Sequence, residues 1–376
     1  MKQITITVLM AFFVALQVFA ERVDMREAGV DNQEALKNTE IINNTINRLN
    51  KAGGGTLFFP SGDYLTASIH MKSNITLELE AGATLRFSDN FDDYMPFVEM
   101  RHEGVMMKSF QPLIYATDAE NITIKGEGKL DGQGKAWWKE FFRVLIDLRD
   151  NGKRDINKYQ PLFEQANDMK TLYAETNVDW HSTLDRRFLR PPFIQPLRCR
   201  NVRIEGITIV NSPFWTVNPN FCDNVTVKGV TINNVPSPNT DGINPESCSN
   251  VHISDCHISV GDDCITIKSG RDLQARKIGR PCENITITNC TMLSGHGGVV
   301  IGSEMSGGVK KVTISNCVFD GTDRGIRIKS TRGRGGVVED IEVSHIQMTG
   351  IKHEAVILTM SYVLNLLNRE QGAEGF

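Results

Sequence analysis

The chain has 376 residues, of which 40% are apolar and 23% are charged, and its formal net charge is −4. This composition is ordinary for a folded protein and provides enough apolar side chains for a sizeable core. The small negative charge gives no support for nucleic-acid binding, which usually needs a basic face. It leaves the charge of any substrate open, because a basic cleft can lie within an acidic protein.

Residues 1–20 have the pattern of a signal peptide. Lys2 provides a positive start, residues 4–16 form a short apolar run, and Val18 and Ala20 occupy the −3 and −1 positions of a cleavage site before Glu21. The apolar run is shorter than a membrane span. We therefore expect cleavage after Ala20, export to the periplasm or the exterior, and a mature domain of residues 21–376.

Residues 31–52 predict a helix. Apolar side chains recur there near helical spacing, at Leu36, Ile41, Ile42, Ile46 and Leu49. A helix in this place would cover the open first end of a stacked structure and so protect its exposed strand edge.

A repeated phrase of asparagine, β-branched residue, variable residue and aliphatic residue dominates the rest of the chain. It begins at Asn74, Asn121, Asn201, Asn224, Asn250 and Asn284, and in weaker form at Lys311 and Asp340. From Asn201 onward the steps are 23, 26, 34, 27 and 29 residues. Each unit holds short strands of alternating apolar and polar residues that cannot bury their apolar face alone, so the units must stack.

The repeat predicts an all-β fold, a right-handed parallel β-helix that forms a single catalytic domain. A β-sandwich would need hairpins with tight turns between its strands, whereas here the same phrase returns in the same phase. The repeated asparagines then form a ladder along one turn of the stack. Four of them also match the glycosylation sequon, but matches that follow the period of the fold favour the ladder.

Seven of the eight cysteines fall into two columns of the same repeat. The first column holds Cys199, Cys222, Cys248 and Cys282, and the second holds Cys256, Cys290 and Cys317. Neighbours in a column would be about 4.8 Å apart, which is within disulfide range. Buried thiols that act as small apolar residues are the alternative.

Two segments lie outside the repeat. Residues 135–190 form a polar and aromatic insertion that includes Trp137, Trp138, Tyr159, Tyr173 and Trp180, and we expect it to fold over one side of a cleft. Residues 365–376 end the chain without a recognisable cap, from which we expect that further coils are missing and that activity could suffer.

A second phrase, a short aliphatic strand ending in serine, sets the register between coils. Its copies end at Ser247, Ser269, Ser303 and Ser330. In this register Asp241 is level with Asp263, and Asp262 shares a column with His296. Three carboxylates and an imidazole therefore meet on neighbouring coils.

Strand alternation predicts which way these side chains point. It directs Arg327 and Lys329 to solvent on the outer face, beside Asp262. It would direct Asp241 and Asp263 inward, where unpaired charge is costly. We therefore predict a bend or bulge, at Gly242 and at Cys264, that turns both outward.

Clustered carboxylates beside two cations indicate a particular chemistry. Glycoside hydrolysis needs one carboxylic acid to protonate the leaving oxygen and a carboxylate on the other side of the bond. Carboxylates that crowd together raise one another's pKa, which helps to keep one of them protonated. Basic side chains would bind a substrate that itself carries carboxylates, so a uronic acid polymer fits.

At these residues the sequence resembles the polygalacturonases of glycoside hydrolase family 28. Four short motifs carry the resemblance and occur in order: Asn239–Gly242, Gly261–Asp263, Gly295–Gly297 and Arg327–Lys329. Each is weak alone, but four at coil spacing are specific. The likeness extends over about residues 28–362.

The resemblance implies an inverting hydrolase of α-1,4-galacturonosidic bonds in pectin. It implies that Asp262 is the general acid, that Asp241 and Asp263 activate the attacking water, and that His296 tunes the acid. Further residues implied to bind the substrate are Arg327, Lys329, Tyr362, Asn239 and Glu304. No metal or cofactor is expected, and we expect a monomer whose partners are pectin oligosaccharides.

One departure from the family bears on the mode of attack. Glu304 stands where many endo-acting members carry an apolar residue, and the insertion could close one end of the cleft, so exo action is favoured. Two rivals stay open: a pectate lyase that uses the aspartates to hold Ca²⁺, and a β-helix that binds carbohydrate without cleaving it. Rhamnogalacturonan hydrolysis is disfavoured by the same motifs.

Overall fold

The computed structural model describes residues 20–151, 158–178 and 189–362. The predicted signal peptide, Trp180 and the segment after Tyr362 lie outside the described residues. No helix of the described ranges is both long enough and apolar enough to span a membrane.

The described chain winds into a parallel β-helix, in which three columns of short strands run along the stack. The first column comprises β1 (Glu21–Asp24), β2 (Gly55–Phe59), β5 (Ile75–Leu79), β10 (Glu120–Gly126), β13 (Arg200–Glu205), β15 (Asp223–Lys228), β17 (Ser249–Ser254) and β20 (Cys282–Thr288). The second comprises β3 (Gly62–Thr66), β6 (Ala83–Phe87), β11 (Lys129–Asp131), β14 (Thr208–Val210), β16 (Thr231–Asn233), β18 (His257–Ser259) and β21 (Thr291–Ser294). Two longer strands, β23 (Val309–Asp320) and β25 (Val338–Thr349), continue both columns.

The third column forms the floor of the candidate cleft. It comprises β4 (Ile69–His70), β9 (Ile114–Thr117), β12 (Ile194–Leu197), β19 (Asp263–Ile267), β22 (Gly297–Ile301), β24 (Ile326–Lys329) and β26 (Val356–Thr359). Single parallel bridges at Val217, Asn220, Ile243 and Glu246 carry the ladder between β12 and β19. Ile243 pairs with Ile265, which pairs with Val299, which pairs with Ile326, so the register predicted from the serine phrase is confirmed.

The core lies inside the coils because both the β-branched and the aliphatic residue of each phrase from Asn74 to Lys311 point inward. The β-branched residues illustrate how these side chains stack. In the first column these residues are 0–2% exposed and stack from coil to coil: Ile75, Ile122, Val202, Val225, Val251, Ile285 and Val312. The eight cysteines are buried free thiols, which is the second of the two alternatives left open by their spacing.

The asparagine column is a turn ladder. Asn121 donates to Asn74, Asn201 to Asn121 and Asn224 to Asn201, over 2.7–2.8 Å, and Asn284 donates to Asn250 over 3.2 Å. All of these residues have φ between 56° and 64°, a left-handed conformation that asparagine tolerates better than most residues.

Five α-helices and one 3₁₀ helix lie between the strands of the described coils. They are α1 (Ala35–Lys51), the 3₁₀ helix Phe91–Tyr94, α2 (Lys135–Asn151), α3 (Tyr159–Ala166), α4 (Met169–Thr176) and α5 (Asp272–Ile278). Helix α1 falls within the predicted range and buries Ile42, Ile46 and Leu49 in the same core as the first coils.

An antiparallel hairpin, β7 (Val98–His102) and β8 (Val105–Ser109), is inserted between β6 and β9. The predicted insertion packs against this hairpin: Phe163, Leu172, Val178 and Leu189 share an apolar cluster with Met100, Val105 and Met107. Asn167 fixes the contact, since its side chain exchanges hydrogen bonds with the backbone N–H and carbonyl of Lys108.

Candidate active site

Three aspartates meet on two consecutive coils of the third column. Asp241 precedes the bridge at Ile243, and Asp262 and Asp263 stand at the start of β19. A carboxylate oxygen of each lies within 4.8 Å of one from each of the others. The register inferred from sequence therefore brings together the three carboxyl groups it was expected to bring together.

The predicted departure from alternation occurs at Cys264. Asp262 and Asp263 both bond to groups on the outer face, whereas Cys264 and Ile265 both lie in the core. The ladder stays in phase across this point, because Asp263 pairs with Gly297 and Ile265 with Val299. The chain thus changes direction by a bend at Gly261–Asp262, without the extra residue of a bulge.

Two glycines of the motifs are required by the close approach of neighbouring coils. A Cβ on Gly261 would lie 1.8 Å from the carbonyl oxygen of Ser237, and one on Gly242 would lie 2.4 Å from that of Cys264. Any side chain would push these coils apart. The glycines therefore fix the spacing between neighbouring coils at Asp241, which precedes Gly242, and at Asp262, which follows Gly261.

Asp241 is almost fully buried, with 2% exposure. Its Oδ2 accepts from the Asn244 amide at 3.1 Å and from the Thr266 hydroxyl at 3.3 Å. Burial, and then the charge of Asp262, raise its pKa well above the usual range. Asp241 is therefore the carboxyl that most readily keeps a proton.

Asp263 forms a buried ion pair with Lys329. The Lys329 ammonium lies 2.6 Å from Asp263 Oδ2, and the two residues are 5% and 1% exposed. The Lys329 side chain extends from the outer face of β24, as predicted. The prediction that it points to solvent is wrong, because the Asp263 carboxylate and the Tyr362 ring enclose it. Burial lowers the pKa of Lys329, but the charges of Asp263, Tyr362 and Asp262 together outweigh this effect, and the net shift of the pKa is upward.

Asp262 and His296 share a hydrogen bond. The His296 Nδ1 lies 3.0 Å from Asp262 Oδ1, and Asp262 is partly exposed while His296 is about half exposed. This hydrogen bond, against the effect of burial, raises the pKa of His296 to about 9. Burial alone would raise the pKa of Asp262, but the bond to His296 and the nearby cations lower it overall.

This electrostatic arrangement differs from the one expected from clustering alone. The carboxyl with the raised pKa is Asp241, and the proton of the Asp262–His296 pair lies on the imidazole. The physical reason is that His296 offers Asp262 a charged donor, whereas Asp241 meets only neutral donors.

Asn239 lies behind Asp262, where its amide Nδ2 is 3.3 Å from Asp262 Oδ2. Its Oδ1 accepts from Arg190, a residue at the end of the insertion, at 2.8 Å. The resemblance gave Asn239 a role in substrate binding, but here it contacts the proposed acid. Arg190 was missed, since no repeat or spacing links it to the motifs.

Arg327 and Tyr362 border the cluster on the next coils. The Tyr362 ring centre lies 5.4 Å from the Arg327 guanidinium carbon and 5.0 Å from the Lys329 ammonium. The Arg327 Nε is buried and has no hydrogen-bond partner among the described residues.

Glu304 lies in a second set of charges, one strand further along. It pairs with Lys268 at 2.8 Å and with Arg334 at 3.5 Å. Burial raises the pKa of Glu304, but these cations lower it far more. Lys268 also lies 4.6 Å from the centre of the Trp215 ring. Neither Lys268 nor Trp215 was predicted to take part in the site.

The hairpin β7–β8 packs along the third column, from β12 to the segment that follows β19. Arg101, 1% exposed, donates to Ser247 at 3.1 Å and lies 3.5 Å from the Glu246 carboxylate. At the tip, Gly104 accepts a backbone hydrogen bond from Arg271. The face around His296 and Arg327 stays open.

Comparison with known proteins places this site in a family. The sequence profile of "Glycosyl hydrolases family 28" matches residues 177–372, which contain all three aspartates, His296 and the Arg327–Lys329 motif. The chain belongs to glycoside hydrolase family 28. Its fold, a parallel β-helix, is that of solved polygalacturonases.

Two curated relatives illustrate the family. A "Probable polygalacturonase" of Vitis vinifera is 32% identical over 86% of this chain, and an "Exo-poly-alpha-D-galacturonosidase" of Dickeya chrysanthemi is 27% identical over 91% of it. The family 28 chain spans 60% and 58% of the lengths of these relatives.

Two solved structures are also similar. The exopolygalacturonase of Thermotoga maritima is 35% identical, with a TM-score of 0.78 over 93% of this chain and 77% of that one. The polygalacturonase of Erwinia carotovora is 25% identical, with a TM-score of 0.64 over 85% of this chain and 76% of that one.

Proposed function

We propose that this family 28 protein hydrolyses α-1,4-galacturonosidic bonds in polygalacturonate. The observation that carries the proposal is the cluster of Asp241, Asp262 and Asp263 with Arg327 and Lys329 on one open face of the β-helix. Carboxyl groups supply the acid and base of glycoside hydrolysis, and the cations suit a substrate that carries a carboxylate on every sugar. The names of the relatives support the same substrate class.

In this proposal Asp262 protonates the glycosidic oxygen, because it is the only one of the three aspartates whose carboxyl is partly open. Its proton comes from His296, 3.0 Å away, so the pair acts as one acid. Arg327 binds the substrate carboxylate, and Lys329 holds Asp263 in place.

Asp263 and Asp241 hold and activate the attacking water. Asp263 serves as the base, and Asp241, whose pKa burial raises, orients the same water. We propose inversion at the anomeric carbon. The oxygens lie within 4.8 Å, which is closer than the roughly 6.5–9.5 Å between the carboxyl groups of most inverting pairs, so the anomer of the first product is a necessary measurement.

We further propose exo action, and assign the closed end of the cleft to the hairpin β7–β8 rather than to the insertion itself. The hairpin bonds to β12 through Gln195, and to the coils beyond through Ser247 and Arg271. A chain that crosses this face would have to displace it. Export to act on cell-wall pectin, as a monomer, remains part of the proposal.

The test is a digestion of polygalacturonate with time-resolved product lengths and NMR of the first anomer. Monomer from the start supports exo action, and a falling ladder of oligomers would mean endo action. The change Asp262→Asn should lower kcat by about 10²–10⁴-fold while oligogalacturonate still binds. The exposed Asp320→Asn serves as the matched control and should retain full activity.

The same digestion separates the rival functions. A lyase produces unsaturated sugars that absorb in the ultraviolet and requires Ca²⁺, so new absorbance that chelator abolishes would replace the proposal. Binding without turnover, unchanged by Asp262→Asn, would identify a carbohydrate-binding β-helix.

A further inference from the structure

Arg190 is a buried cation at the end of the insertion. It is 2% exposed, and its guanidinium carbon lies 4.1 Å from the ring centre of Phe141 and 5.1 Å from that of Phe214. A guanidinium remains charged even between two aromatic rings, and it has five donors and no acceptor. Every polar atom that it contacts must therefore be an acceptor.

The contacts of Arg190 join the insertion to two loops of the β-helix. Its Nη1 donates to the carbonyl oxygens of Pro213 at 3.0 Å and Pro238 at 2.7 Å. Its Nη2 donates to Asn239 Oδ1 at 2.8 Å. Asn239 is the first residue of the motif that ends at Gly242, so these bonds fix the loop that leads to Asp241.

The bond to Asn239 also determines which end of the amide faces Asp262. Because Arg190 can only donate, the amide oxygen must turn towards it, and the NH₂ group is left to face Asp262 Oδ2 at 3.3 Å. In the reversed orientation, two donors would meet at Arg190 and two oxygens would meet at Asp262.

We propose that Arg190 is a positioning residue for the reaction, which fixes the Asn239 amide so that it donates to Asp262. The inference rests on the proposed function, since it gives Asp262 the role of the acid. Asp262 Oδ1 accepts from His296 and from the backbone N–H of Asp263. The Asn239 amide donates to the other oxygen, Oδ2. By orienting this amide, Arg190 completes the set of donors that orients the Asp262 carboxyl.

The test uses the dependence of general-acid catalysis on the leaving group. Cleavage of trigalacturonate requires a proton on the departing oxygen, whereas a dinitrophenyl α-galacturonide releases a phenolate that needs none. Arg190→Lys keeps a buried cation between the rings but cannot place a second nitrogen at Asn239. We expect it to lower kcat on trigalacturonate about ten- to hundredfold, with KM within about threefold and little change on the aryl substrate.

A double-mutant cycle shows whether Arg190 acts through Asn239. Asn239→Leu should give the same pattern, and adding Arg190→Lys to it should have no further effect on trigalacturonate. Arg324→Met, a similarly buried arginine that pairs with Glu354, is the matched control and should affect both substrates alike. Equal losses on both substrates in Arg190→Lys, or multiplicative losses in the cycle, would refute the assignment.

A measurement independent of turnover keeps the inference separate from the proposed function. The side-chain NH₂ signals of Asn239, assigned by their loss in Asn239→Leu, should shift in Arg190→Lys and in Asp262→Asn. If those signals do not move in Arg190→Lys, the positioning role is wrong even in an active enzyme. If the wild type cleaves neither substrate while the signals do move, the proposed function fails and the structural coupling stands.

Discussion

Asp262 and His296 together hold a proton in a position open to the cleft. Because the pKa of His296 is raised to about 9 from an ordinary value near 6.5, the protonated imidazole stabilises the folded state. This contribution is fully present below about pH 6.5 and is lost as the pH rises through about 9. Because solvent screens the half-exposed ring, the contribution of His296 to stability is small. The effect of its protonation on activity is therefore more informative than its effect on stability.

Replacement of Asp262 by Asn should return the imidazole towards its ordinary behaviour. We expect the His296 pKa to fall from about 9 towards roughly 6.5, because the asparagine removes the charge that stabilises the imidazolium. An NMR titration of the ring signals measures this change, and the other imidazoles serve as internal controls. A His296 signal that titrates alike in both proteins would contradict the proposed pair.

Much of the residue-scale geometry follows from the sequence, because stacking in register converts equal positions in a repeat into contacts. The meeting of Asp241 with Asp263, and of Asp262 with His296, needed only the serine phrase. The burial of Lys329 could not be predicted in this way. It depends on an ion pair across two coils and on the Tyr362 ring, which lies beyond the last clear motif.

The hairpin β7–β8 is the element to which we assign the closed end of the cleft. Its strands pair with each other and not with the coils, so they carry no repeat phrase and were not predicted. The sequence instead assigned the closing role to the insertion, whose helices pack on the back of the hairpin. Long-range contacts of Arg101 and Gly104 decide the position of the hairpin, and no periodicity reveals them.

Loosening the hairpin tip should change the products. A Cβ on Gly104, where φ is 85°, would lie 2.8 Å from the Arg271 nitrogen and 3.1 Å from the Glu304 Cγ. Gly104→Val should therefore lift the tip and increase the share of oligomers among the early products. Chromatography of the digest measures this share.

Gly53→Val is the matched control for the tip. Gly53 also has a positive φ, of 101°, but a Cβ there meets nothing within 4 Å. Gly53→Val should strain the backbone about as much as Gly104→Val does, but it should leave the product lengths unchanged. Identical product profiles for wild type and Gly104→Val would remove the hairpin from the account of exo action.

Across the whole molecule, stability depends on columns that run through many coils. The left-handed asparagines are one such column, and two replacements at Asn224 separate its two contributions. Asn224→Gly loses the 2.7 Å bond to Asn201 at a cost of about 1 kcal/mol. Asn224→Ala loses the bond and keeps a Cβ at φ 58° without the polar side chain that lets asparagine tolerate this conformation, so it should be roughly 1–2 kcal/mol less stable than the glycine variant.

Denaturant unfolding gives both free energies of unfolding under the same conditions. The order should be wild type, then Asn224→Gly, then Asn224→Ala. An alanine variant as stable as the glycine variant would show that the left-handed conformation is relaxed elsewhere.

The cysteine columns make a separate prediction. All eight cysteine residues are at most 2% exposed and carry free thiols. The native protein should therefore not react with a thiol reagent, whereas the denatured protein should react with eight equivalents of the reagent without prior reduction. Fewer than eight would indicate disulfides within the columns. Thiol titration before and after denaturation provides the count.

The coils differ in length, by steps of 23 to 34 residues from Asn201 to Lys311, yet the third column keeps one register from Ile243 to Ile326. Extra residues are therefore absorbed in turns and insertions, outside the ladder. For the proposed hydrolase, this places the catalytic groups and the segments that could select the substrate in separate parts of the chain. Exchange of these loops between members of the family should change which polymer is cleaved and the length of the products, while the distances between the three aspartates stay the same.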